Sequence, residues 1–246
     1  MAKDQLTIIE HLEELRKVII ISVIALMAGA LIVYFTFREQ LFLFLIEPVK
    51  ELNVPLVQIT ITEAFFTKLK ISLLAGLVLA MPVILWQVFS FILPALTARE
   101  KKLVFILFPA SVVAFAGGIA FSYEVVLRFA ILFLLTGVST GLTPMISISK
   151  YISFLLGFVL PFGFIFEMPL VAIFLARLGI INHATLAKKR KYAILAVVTI
   201  AAALTPGPDV VSQLLMAGPM LILYELSIVL ARIFAKKPEL AETSEY

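Results

Sequence analysis

The 246-residue chain contains no cysteine, two histidines and one tryptophan. Without a thiol there is no disulfide, no thiolate nucleophile and no cysteine-ligated metal. His11 and His183 lie in separate polar segments, where each reads as a surface histidine, and no HExxH, GxSxG or phosphate-loop pattern occurs. No nucleophile–base set supports an enzyme, and no cofactor or metal is implied. Charge is scarce too, at 15% of residues against about 25% in soluble proteins. What replaces it is apolar: 62% of residues are hydrophobic and the mean hydropathy is +1.12. That composition belongs to an integral membrane protein. A cleavable signal peptide does not fit, because Glu10, Glu13 and Glu14 precede the first apolar run at Val18.

Along the chain the expected class is all-α and polytopic. Residues 6–17 form an amphipathic helix, with a Thr7–Glu10 capping box and Ile8, Leu12, Leu15 and Ile19 on one face. It is expected to lie on the membrane and turn into span 1, Val18 to Phe37. Residues 38–61, with Pro48 and Pro55, read as a water-exposed connection. Thr60-x-x-Glu63 opens a long helix, span 2, that ends near Leu93-Pro94. After the charged turn LPALTAREKK comes span 3, Leu103 to Ser122, with an amphipathic continuation over 125–136.

Span 4, Tyr151 to Ala176, carries one charge, Glu167, between Pro161 and Pro169, so a bend is expected beside the carboxylate. Span 5, Tyr192 to Leu204, has 13 residues before TPGPD and is too short for a normal bilayer. Span 6 begins at Val210 and meets Tyr224-Glu225 after another short run, beyond which LSIVLARIFA can continue along the cytoplasmic interface. Paired short spans imply a thinned membrane or a sunken end. Residues 1–235 make a single six-span membrane domain, and 236–246 a polar tail.

Fourteen of the 20 lysines and arginines fall in the N-terminal segment, the 93–102 turn, the 177–191 loop and the tail from Arg232. By the positive-inside rule both termini are cytoplasmic. The basic pI of about 9.3 therefore reports topology, not a nucleic-acid partner.

An acidic residue near mid-bilayer costs about 2.5–3.5 kcal/mol on insertion scales, so Glu167 is a functional candidate set against a plain helix–helix hydrogen bond. On the cytoplasmic side Glu10, Glu13 and Glu14 form an acidic patch on an otherwise basic face, and Glu100 is the lone acid of its turn. Thr97-x-x-Glu100 is also a capping box, which accounts for Glu100 without any ligand.

The motif order carries a resemblance. HLEELRK (11–17), EAFFTKLK (63–70), MPVILWQVFSFILPALTAREKK (81–102), FSY (121–123), FEMP (166–169), TPGPDVVSQ (205–213) and LYELS (223–227) resemble the TatC family. Its members are the receptor core of the twin-arginine protein translocase. The likeness runs from about residue 6 to 235. It implies recognition of twin-arginine signal peptides of folded cargo, with single-span TatA/TatB-type subunits as partners and the proton-motive force as drive. It also implies the plasma (inner) membrane of a prokaryote as location, and leaves homo-oligomerisation open. By motif, Glu14, Arg16 and Glu100 match signal-recognition positions, with Phe91, Pro94 and Leu96 shaping the pocket. Pro48 and Tyr123 match a periplasmic cap, and Glu167, Asp209 and Gln213 match positions of structure or partner docking. The competing class is a proton- or ion-coupled small-molecule transporter using Glu167, against which the two halves show no matching broken helices.

Overall fold

The structure is a computed structural model and describes residues 8–137, 145–205 and 210–234. Helix α1 (Ile8–Thr36) is one continuous rod of 29 residues. The expected surface helix is corrected: it runs coaxially into span 1, because no glycine or proline stands between Glu13 and Met27 to turn it. Thr7 lies outside the described residues. A second correction follows at once. Residues 38–51 are not an open connection but helix α2 (Arg38–Glu51), with Leu45, Ile46, Pro48 and Val49 buried. Helix α3 (Glu63–Ile92) has 30 residues and ends in a short 3-10 turn at Leu93–Ala95, as the Leu93-Pro94 signal predicts.

The start predicted for span 3 is present. The Thr97 amide and hydroxyl donate to Glu100 Oε2 at 2.8 and 2.7 Å, opening α4 (Ala98–Phe121). A π-helical stretch, Ser122–Leu127, carries α4 without a break into α5 (Arg128–Leu132), and a second one follows over Phe133–Gly137. Two short strands, β1 (Leu56–Val57) and β2 (Ile146–Ser147), pair in parallel.

The bend expected beside Glu167 divides span 4 into α6 (Ile148–Ile165) and α7 (Met168–Arg177). Pro169 sits in the first turn of α7, where its missing N–H costs nothing. After α8 (His183–Lys188) comes α9 (Arg190–Leu204), whose 15 residues give about 22 Å. The last helix, α10 (Val210–Phe234), has 25 residues, so the reading of span 6 as short is corrected. It runs past Tyr224-Glu225 in one helix, and Arg190 forks onto the Glu225 carboxylate there at 2.7 and 2.8 Å. Among the described residues five helical segments are long and apolar enough to cross a membrane: α1, α3, α4–α5, α6–α7 and α10.

Lipid tails are as apolar as leucine, so helices associate in a membrane by close packing more than by water exclusion. The main cluster is built around α6, with Ile152, Leu155, Phe158 and Phe162 fully buried. Glycines set the closest crossings. A Cβ on Gly76 would lie 2.4 Å from the Ala30 amide nitrogen, and one on Gly118 2.5 Å from the Phe162 carbonyl oxygen. Gly157, nine residues into α6, faces the Leu204 carbonyl, so the far end of α9 lies well below the start of α6.

Candidate functional site

Three groups of side chains stand out, at the two ends of the bundle and in its middle. The first joins α1 to the α3–α4 corner. His11 stacks on Phe91 with ring centroids 4.4 Å apart, and its Nδ1 lies 3.9 Å from Glu14 Oε2. Glu14 Oε2 is shielded from solvent yet has no hydrogen-bond donor among the described residues. Arg16 is exposed on the same helix. Across the corner, Pro94 is exposed, Phe91 and Glu100 are half-buried, and Leu96 turns inward onto Val104, Leu107, Ile173 and Phe174. Five of the six residues nominated here thus present some surface at one end, while Leu96 anchors the turn from beneath. His11 was read as a surface residue, and its side chain is indeed 53% exposed. Its contact with Phe91 was missed. The i,i+3 spacing to Glu14 on one helix face was the available signal.

The opposite end is a cap made by α2. Tyr123 donates its hydroxyl to the Phe44 carbonyl and Tyr151 to the Leu45 carbonyl, both at 2.7 Å. Pro48 is buried one turn further on, so Pro48 and Tyr123, nominated separately, belong to one assembly. Glu39 of α2 pairs with Lys68 of α3 at 2.7 Å, and that hydrogen bond holds its carboxyl below the usual range. Sequence reasoning treated Glu63 as half of a capping box. It does more than that. Its carboxylate accepts the Ile59, Thr60 and Ser149 amides at 2.7, 3.2 and 2.9 Å, and the Ser147 hydroxyl. A partner 84 residues away leaves no sequence signal.

In the middle, Glu167 sits at the α6–α7 break. The Ser111 hydroxyl of α4 is its polar neighbour, while Oε1 has no hydrogen-bond partner among the described residues. Beside it lies an apolar cavity of about 570 Å³ between α4, α7 and α10, lined by Pro109, Val113, Phe166, Pro169 and Leu226. Gln213 of α10 donates to the Val198 carbonyl of α9 at 3.1 Å, tying the short helix to its neighbour. Asp209 lies outside the described residues. Among the described residues no cluster of His, Cys, Asp and Glu could hold a metal.

A family model described as Sec-independent protein translocase protein (TatC) matches residues 10–219. The chain belongs to the TatC family. A relative from Carboxydothermus hydrogenoformans, the Sec-independent protein translocase protein TatC, is 50% identical over 237 residues, 96% of this chain and 97% of the relative. The Aquifex aeolicus TatC is 42% identical over 232 residues, covering 93% and 95%. A crystal structure of the twin arginine translocase receptor TatC superposes with a TM-score of 0.84 at 41% identity, over 92% of this chain and 99% of that one. The family is one of protein transport and not of enzymes. This chain is accordingly a multi-span prokaryotic membrane protein and a component of a Sec-independent translocase.

Proposed function

We propose that this TatC-family chain is the signal-peptide receptor and core subunit of a twin-arginine translocase, recognising its ligand at the α1 and α3–α4 end. The observation that carries this reading is Glu14, a shielded carboxylate oxygen without a donor beside an aromatic ring pair. An arginine guanidinium supplies five donors in a fixed fork that meets a carboxylate bidentately, whereas lysine is a point charge. Glu100 and the exposed Pro94 extend the same surface, which suits a segment holding both charge and apolar residues. In the proposed orientation this end and both termini face the cytoplasm, six spans cross the plasma membrane, residues 1–235 form the membrane domain and 236–246 its tail.

The test is binding of a synthetic twin-arginine signal peptide against its double-lysine version. Hydrogen bonds to charged groups contribute about 1.5–3 kcal/mol, so Glu14→Gln should weaken the arginine peptide roughly 10- to 100-fold. Glu100→Gln is the informative change at the second site, since glutamine preserves a capping box but not the charge. Glu13→Gln should do much less. Equal binding of the two peptides, or equal loss at Glu13, would defeat the assignment.

Glu167 and the cavity beside it are proposed to receive a transmembrane helix of a TatA/TatB-type partner bearing its own polar group, with Gln213 holding the adjoining α9–α10 wall and Asp209 joining the docking residues by motif alone. Glu167→Gln should then retain partner crosslinking and transport, while Glu167→Leu loses both yet keeps peptide binding. Loss of transport in both variants would instead assign Glu167 to proton movement.

A further inference from the structure

At the capped end, a cavity of about 520 Å³ opens between α2, the end of the α4–α5 rod and the first two turns of α6. Its walls are apolar, formed by Val49, Ile131, Leu135, Ile146 and Phe154. Its rim is basic. Lys150 lines it, and Lys70 of α3 donates from Nζ to Ser153 Oγ, another rim group, at 3.0 Å. Neither lysine has an ion-pair partner among the described residues, whereas Lys68 and Arg128 at the same end do. Glu63 approaches this rim, but its carboxylate is buried and turned onto Ser147, Ser149 and the 59–60 amides.

Depth and size restrict what can enter. From Ile148 to Phe154 α6 rises about 9 Å, so the cavity spans the outermost part of the hydrocarbon and the headgroup layer. Its volume falls within the range of about 300–1,000 Å³ typical of small-molecule sites. A partner helix needs a groove running along the bundle, and this one stops after two turns of α6. Lysine stems pack on apolar surface while their ammonium groups reach for polar partners, which sets an apolar wall below a cationic rim. We propose that the cavity binds one anionic phospholipid, its headgroup phosphate between Lys70 and Lys150 and an acyl chain against Ile131, Leu135 and Phe154. The inference is independent of the peptide-binding reading, because it concerns the other end of the molecule.

The full chain, purified in mild detergent, can be offered phosphatidylglycerol or phosphatidylcholine at equal concentration and retained lipid counted by native mass spectrometry. One phosphatidylglycerol should be retained, with phosphatidylcholine at least tenfold weaker. A basic residue near a membrane surface is worth roughly fivefold in binding, so Lys70→Gln with Lys150→Gln should weaken retention about thirtyfold. The paired Lys→Arg changes should preserve it, and Ser153→Trp, which closes the mouth, should abolish it. Equal retention of the two lipids overturns the proposal, and this comparison needs no variant to fold. Unchanged retention in a folded double-glutamine variant overturns it as well, as does crosslinking from Phe154 to a second polypeptide without displacement of lipid.

Discussion

Pro48 shows how one residue organises the capped end. Lacking an N–H, it cannot donate to the carbonyl four residues back, which is that of Phe44. The Tyr123 hydroxyl occupies that orphaned acceptor at 2.7 Å, and the two rings stack with centroids 4.7 Å apart. Tyr151 donates likewise to the neighbouring Leu45 carbonyl. The proline thus frees one acceptor, and through these two carbonyls the α4–α5 rod and α6 are fastened to α2. Tyr123→Phe should cost about 1–3 kcal/mol, the penalty of a buried polar group left unpaired, read by denaturant unfolding in detergent. In a Pro48→Ala background the restored amide can reach Phe44, and the same tyrosine change should cost less than half as much. Strictly additive effects would show that the carbonyl does not join the two residues.

Among elements, the seam between α1 and α3 is the most sensitive to a single atom. Gly29 and Val33 are the buried residues of α1, one turn apart, and Gly76 of α3 meets the α1 backbone at Ala30. A methyl group on Gly76 would fall within 2.5 Å of the Ala30 N and Cα, which are backbone atoms and cannot rotate away. Gly76→Ala should lower stability by about 1–3 kcal/mol in thermal unfolding of detergent-solubilised protein. Gly117→Ala, whose new methyl meets nothing within 4 Å, is the control and should leave stability unchanged or slightly raised. Some elements were plain from sequence. The Thr97–Glu100 box, the proline at 94 and the 30-residue reach of α3 rest on local chemistry, and local chemistry is what a sequence displays. Helix α2 was hidden because Pro48, ordinarily a breaker, is tolerated there by tyrosines 75 or more residues away. The pairing of Arg190 with Glu225 was hidden likewise, since it spans 35 residues.

For the molecule as a whole, the charge split and the contact pattern agree. The His11–Phe91 stack, the Arg190–Glu225 fork and the Tyr224 bond to the Leu186 carbonyl fall where lysine and arginine are dense. The cap, the β1–β2 pair and Glu63 fall at the other end. Because the chain has no native cysteine, single introduced thiols report sidedness directly. Ala98→Cys and Lys189→Cys should react with an impermeant reagent from the cytoplasm and Ile61→Cys, exposed in the 58–62 segment, from outside. Reaction of all three from one side would refute the alternating arrangement of the spans that precede α9. At the candidate site, residue types alone show an acidic patch around Glu14 and a capping box at Glu100, and it is the family resemblance that marks Glu14, Phe91 and Glu100 together. The burial of one Glu14 oxygen is not legible in the sequence.

Among the described residues none of α1 enters any of the three core clusters, and its principal contacts are with α3 and α2. Cooperativity therefore need not extend to it. Detaching α1 opens one seam, the broadest helix pairing among the described residues, and leaves the α6-centred interior intact. Gly76→Ala should therefore hasten amide exchange in α1 more than in α6. The proposed receptor surface would in this way ride on a helix held by a single seam.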